Sequence, residues 1–119
     1  MPRDHAYLLD ILEAARLALG YVQGVSREAF LRDIQLQDSV IRRIEIIGEA
    51  ARRISDTTRE TFPGIPWTEM IGMRNLTIHH YDNVDLEIVW DTVQHSLPEL
   101  IAQIQPLVPP EEPGLTPMK

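Results

Sequence analysis

Val40-Ile41-Arg42-Arg43-Ile44-Glu45-Ile46-Ile47-Gly48-Glu49-Ala50-Ala51-Arg52-Arg53-Ile54 decides the fold. Val40, Ile44, Ile47, Ala51 and Ile54 recur at four, three, four and three residues, the rhythm of a helix that packs along a seam. Ile41, Gly48 and Ala50 widen that stripe, and the pattern predicts a long helix from about Ile34 to Ser55. Glycine inside a helix costs about 1 kcal/mol relative to alanine, so Gly48 points to a close helical neighbour.

The same period extends outward in both directions. Upstream, Leu8, Leu9, Leu12, Ala15 and Leu19 predict a first helix from about Asp4, as its N-cap, to Val22. Ser26 reads as the cap of a short helical segment from Arg27 to about Arg32, with Phe30 and Leu31 turned inward. Downstream, Asp56 to Ile65 reads as a connector broken by Pro63-Gly64, and Pro66 opens a third helix that runs to about His79. Asp85 caps a fourth, with Leu86, Val89, Trp90, Val93, Leu97, Leu100, Ile101 and Ile104 on its apolar side. Pro98 interrupts that helix, and Ser96-x-x-Glu99 has the form of a capping box, which predicts a kink or a restart. The expected architecture is all-α: an up-and-down bundle of four main helices plus a short one over residues 1–108, with a disordered Pro/Glu-rich tail over 109–119. Broad aliphatic stripes in so small a bundle favour a homodimer.

Composition narrows the chemistry. One domain fits 119 residues, and 44% hydrophobic content with only two Trp, three Tyr and two Phe implies an aliphatic core. Without cysteine there is no disulfide, no thiolate metal site and no thiol nucleophile. Charges follow the first methionine at once, and no apolar run approaches the roughly 20 residues that span a bilayer. The expectation is a cytoplasmic protein with no membrane partner. A net charge of −7 argues against general nucleic-acid binding, but residues 82–119 hold one Lys and seven acids, while residues 1–60 balance nine Arg against ten acids. Arg42, Arg43, Arg52 and Arg53 either build a local basic surface or face acidic neighbours.

The densest chemistry is Arg74-Asn75-Leu76-Thr77-Ile78-His79-His80-Tyr81. A guanidinium, an amide, an imidazole and a phenol within eight residues suit a phosphodiester: a cation for the phosphorane, a proton carrier, and a group to orient both. On a straight helix Tyr81 returns to within about 20° of Arg74, whereas His79 lies about 140° away. Convergence of Arg74 and His79 therefore requires either unwinding near His79 or completion of the site across a two-fold axis. The residues alone equally allow an ordinary surface, with Arg74 paired to an acid, Asn75 capping a turn and Tyr81 half-buried. Adjacent His79 and His80 point apart and no spaced ligand completes a set, so no metal is expected. His5 and His95 read as surface groups.

Ile65-Pro66-Trp67-x-x-Met70-Ile71-Gly72-Met73-Arg74-Asn75-x-x-x-His79-x-Tyr81-x-x-Val84-Asp85-x-x-x-Val89-Trp90 resembles the signature of the HepT family within the HEPN superfamily. Ile46-Ile47-Gly48-Glu49-Ala50-Ala51 is similar to another recurring segment of that family, and the likeness covers about residues 4–108. The resemblance implies a dimeric, metal-independent endoribonuclease without a cofactor, the toxin of a toxin–antitoxin pair. It implies Arg74 and His79 as catalytic residues, with Asn75 and Tyr81 supporting them. It further implies AMPylation of Tyr81 by a cognate minimal nucleotidyltransferase as the means of neutralisation. Two other readings fit the same residues: a non-catalytic helical dimer that binds a nucleotidyltransferase, and a nucleotide or nucleic-acid sensor.

Overall fold

The computed structural model describes residues 2–78 and 85–108, with 74–78 described along the backbone. The described residues are helical almost throughout and contain no strand. The elements are α1 (Pro2–Tyr21), α2 (Arg27–Phe30), α3 (Ile34–Arg53), α4 (Asp56–Thr61), α5 (Trp67–Ile78), α6 (Leu86–Asp91) and α7 (Leu97–Ile104). A π turn (Thr92–Ser96) joins α6 to α7, and a 3-10 turn (Gln105–Leu107) follows.

The central seam lies where its rhythm puts it. Val40, Ile44, Ile47, Ala51 and Ile54 are all buried, as are Gly48 and Ala50. The α3 helix packs against α1 and α5, and α1 packs in turn against α7. The start of α1 meets the end of α3 through Asp4 and Ser55, so these two helices run antiparallel. From the last run, Val89, Val93, Leu97, Leu100 and Ile104 join the core. Gln103 Nε2 donates to the Gly64 carbonyl, tying α7 to the turn before α5.

Four sequence expectations are corrected. Asp4 is not an N-cap: it sits in the first turn of α1, 5% exposed, with its carboxylate turned onto the α3–α4 junction. Leu9 is 40% exposed; the inward stripe of α1 is Leu8, Ile11, Leu12, Ala14, Ala15 and Ala18, whose alanines carry little apolar signal yet let α1 approach closely. The connector after α3 contains a helix, α4, capped by Ser55, whose hydroxyl accepts from the Thr58 N–H. Ser96 makes no capping bond, because it already has helical dihedrals (φ −76, ψ −41) inside the π turn. Leu97 N–H donates to Thr92 O, a five-residue step. Pro98 lacks an N–H and its ring presses on the carbonyl one turn back, so the chain widens there by an extra residue rather than breaking.

The caps at Ser26 and Asp85 form as expected: Ser26 Oγ accepts from Ala29 N, and Asp85 Oδ1 accepts from Glu87 N and Ile88 N. Residues 109–119 lie outside the described residues.

Candidate active-site helix

The motif helix is fixed at its start by local bonds. The Trp67 indole is buried and donates Nε1–H to Phe62 O at 3.0 Å, while Trp67 N donates to Ile65 O at 2.8 Å and Met70 N to Pro66 O at 3.0 Å. These bonds turn the chain through Pro63-Gly64 and aim α5 along α3. Trp67, Met70 and Met73, three residues apart, form its buried stripe, and Thr68 and Glu69 remain exposed.

Arg74 and Asn75 therefore occupy the second half of a helix that is held rigidly upstream. The residue before Arg74, Met73, is buried, and the helical backbone runs on through Ile78. His79, His80 and Tyr81 lie outside the described residues, as does the expected unwinding near His79. The structure thus gives the backbone setting of two of the four motif residues. His5 and His95 are both exposed.

Downstream of the motif, α6 begins at the Asp85 cap and is gripped by α2. Phe30 is fully buried and its ring lies 5.3 Å from that of Trp90, tilted by 40°. The Arg27 guanidinium hydrogen-bonds and ion-pairs with the Glu87 carboxylate. No local sequence signal announces these pairings, which span sixty residues.

The arginines of α3 divide. Arg42 approaches Glu45 at 3.7 Å, and Arg52 and Arg53 approach Glu49 at 3.9 and 3.7 Å. All three are more than half exposed, so these contacts constrain them weakly. Arg43 is half-buried and pairs with no acid among the described residues. Asp10 and Glu49 share the groove between α1 and α3 with Arg42 and Arg53, so that surface is mixed in sign rather than basic.

Arg59 was not singled out by sequence and has a plain structural task. Its Nη2 donates to Ala51 O at 3.1 Å and to Arg52 O at 2.9 Å, adding to the bond that Ala51 O already takes from Ile54 N in the last turn of α3. At the same α3–α4 junction, Asp4 is the described group with a clear shift in acidity. Burial pushes its carboxyl up, but hydrogen bonds from Ser55 Oγ, Thr58 Oγ1 and Ser55 N–H outweigh that and hold it below the ordinary carboxylate range.

Residues 11–107 match the family described as Ribonuclease HepT-like. A protein of Thermococcus cleftensis named "Probable ribonuclease HepT" is 41% identical over 108 residues, 90% of this chain and 98% of its own length. A candidate RNase of Methanocaldococcus jannaschii is 37% identical over 100 residues, 84% of this chain and 92% of its own. A candidate RNase of Caldanaerobacter subterraneus is 35% identical over 112 residues, 94% of this chain and all of its own. No solved structure matches at a significant level.

Proposed function

The chain belongs to the HepT-like ribonuclease family, and from that membership we propose that it is a metal-independent endoribonuclease serving as the toxin of a toxin–antitoxin pair. The observation that carries the reading is the complete Arg74-Asn75-x-x-x-His79-x-Tyr81 set in the sequence, its Arg74 and Asn75 in the second half of α5, in a chain whose relatives are named as ribonucleases.

In this reading two copies of the chain form a homodimer, and their Arg74 and His79 side chains line one cleft. His79 takes the proton of a ribose 2′-hydroxyl, whose oxygen attacks the adjacent phosphorus. Arg74 stabilises the negative charge that gathers on the phosphorane, and Asn75 orients the phosphate. The bond to the 5′-oxygen breaks, that oxygen receives a proton from the second imidazole, and the products are a 2′,3′-cyclic phosphate and a 5′-hydroxyl. An imidazole with an ordinary pKa of about 6.5 serves either step near neutral pH. A cognate minimal nucleotidyltransferase silences the enzyme by transferring AMP from a nucleoside triphosphate to the Tyr81 oxygen, with release of pyrophosphate. The adduct brings bulk and negative charge into an anion-binding cleft and excludes RNA.

The deciding experiment is cleavage of defined RNAs by the purified chain in the presence of EDTA, with Arg74→Ala and His79→Ala as controls. Cleavage that both substitutions abolish supports the proposal. Cleavage that survives both, or that EDTA stops, overturns it. The net charge of −7 favours the second reading, a non-catalytic helical dimer that engages the nucleotidyltransferase or a nucleotide. That reading predicts complex formation without cleavage of any RNA. After co-expression with the nucleotidyltransferase, a mass gain in AMP units that Tyr81→Phe abolishes supports the modification site; the same gain in that variant refutes it.

A further inference from the structure

Both ends of the motif segment trace back to a single helix. Upstream, α5 lies along α3 with Met70 and Met73 buried. Downstream, α6 is held by α2 through Phe30 on Trp90 and Arg27 on Glu87. The α2 helix in turn hangs from α3: Gln37, 8% exposed, donates its Nε2–H to Phe30 O at 2.9 Å. A helix of four residues cannot hold its shape by backbone bonds alone, so these side-chain ties and the Ser26 cap define it.

We propose that α2 is a bracket that sets where α6 begins, and thereby fixes the point at which the chain that leaves the Arg74–Tyr81 motif re-enters the bundle. Phe30, Gln37 and Arg27 are positioning residues that need not touch RNA. The Phe30 ring and the Gln37 amide bond are buried, and Trp90 is half-buried. The Arg27–Glu87 pair is substantially exposed and contributes direction more than strength. Positioning matters because a displacement of about 1 Å in a reacting group can cost on the order of 100-fold in rate. The catalytic consequence rests on the ribonuclease reading; the structural one does not.

The test uses the full chain with Gln37→Leu, Arg27→Glu, and the exchanged pair Arg27→Glu with Glu87→Arg. Gln37→Leu nearly conserves volume, and Phe30 O keeps its bond from Asp33 N, so that variant is expected to fold. Amide hydrogen exchange is followed across residues 79–91, and single-turnover RNA cleavage is measured alongside. Both single variants are expected to speed exchange over 79–91 by about fivefold while leaving α1 and α3 unchanged. They are expected to slow the chemical step by about tenfold with KM within about twofold, and the exchanged pair is expected to recover both readouts. Unchanged exchange over 79–91 in both single variants overturns the bracket. Faster exchange with an unchanged chemical step overturns its positioning role. If the wild-type chain cleaves no RNA, the ribonuclease reading fails by itself and the exchange measurements still decide the bracket.

Discussion

The carboxylate of Asp4 accepts a hydrogen bond from the Ser55 hydroxyl at 2.5 Å, joining the first turn of the chain to a residue fifty-one positions later. Ser55 Oγ gives its proton to Asp4 and accepts from the Thr58 N–H, so the same hydroxyl caps α4. Thr58 Oγ1 donates to the same Asp4 oxygen, Oδ2, also at 2.5 Å, while Ser55 N–H donates to Oδ1. One buried carboxylate thereby fixes the start of α1, the end of α3 and the start of α4.

Asp4→Asn is expected to lower stability at pH 7 by about 1–3 kcal/mol, because an amide cannot accept all three bonds. The pH dependence has a defined sign. The folded pKa of Asp4 lies below its unfolded value, so its contribution is fully present above the ordinary carboxylate pKa of about 4 and is lost as pH falls through the folded pKa. Denaturant titrations at stepped pH are expected to show the gap between wild type and variant closing on acidification. A gap that is constant down to pH 2 would contradict this account.

Trp67→Phe keeps the buried ring but removes the donor to Phe62 O, which retains its bond from Ile65 N. The expected loss is about 1 kcal/mol, read as a lower denaturant midpoint at unchanged slope.

Arg59→Met preserves the aliphatic stem and removes the guanidinium from the last carbonyls of α3. A loss of about 1 kcal/mol is expected, with faster amide exchange confined to the last turn of α3 and to α4. Uniform destabilisation without local exchange would show that the contact does not cap the helix.

RNA carrying a single 2′-deoxy substitution at the cleaved nucleotide is expected to resist cleavage there while binding as before, since the nucleophile is gone and the phosphate remains. Mass spectrometry of the products from unmodified RNA is expected to show the cyclic phosphate. A linear 3′-hydroxyl product would rule out attack by the ribose.

The fold was legible where the determining interactions are local. The seam from Val40 to Ile54 is a repeated spacing, and the Ser26 and Asp85 caps lie within three residues of the groups they bind. It was not legible where partners are distant. The Asp56–Thr61 helix has no apolar period, and its start is secured by Asp4, fifty-one residues before its cap Ser55. Leu9 misleads because α1 offers two overlapping stripes, and the buried one runs through Ala14, Ala15 and Ala18, which carry little apolar signal. For the site, the spacing from Arg74 to Tyr81 was readable as chemistry. The bracket formed by Arg27, Phe30 and Gln37 was not, since no pattern at short range joins α2 to α6.

The widened turn at Thr92–Ser96 makes the last third of the chain tolerant of a change in length. Deleting one residue from an ordinary helix rotates everything beyond it by about 100° and drags its buried face into water. Here the surplus residue and Pro98 offset one another, so losing both the surplus and the proline ring restores a continuous α-helical path with Leu100 and Ile104 still facing inward. Losing the surplus alone drives the ring against a carbonyl. Homologues that differ here by one residue are therefore expected to differ at the proline as well.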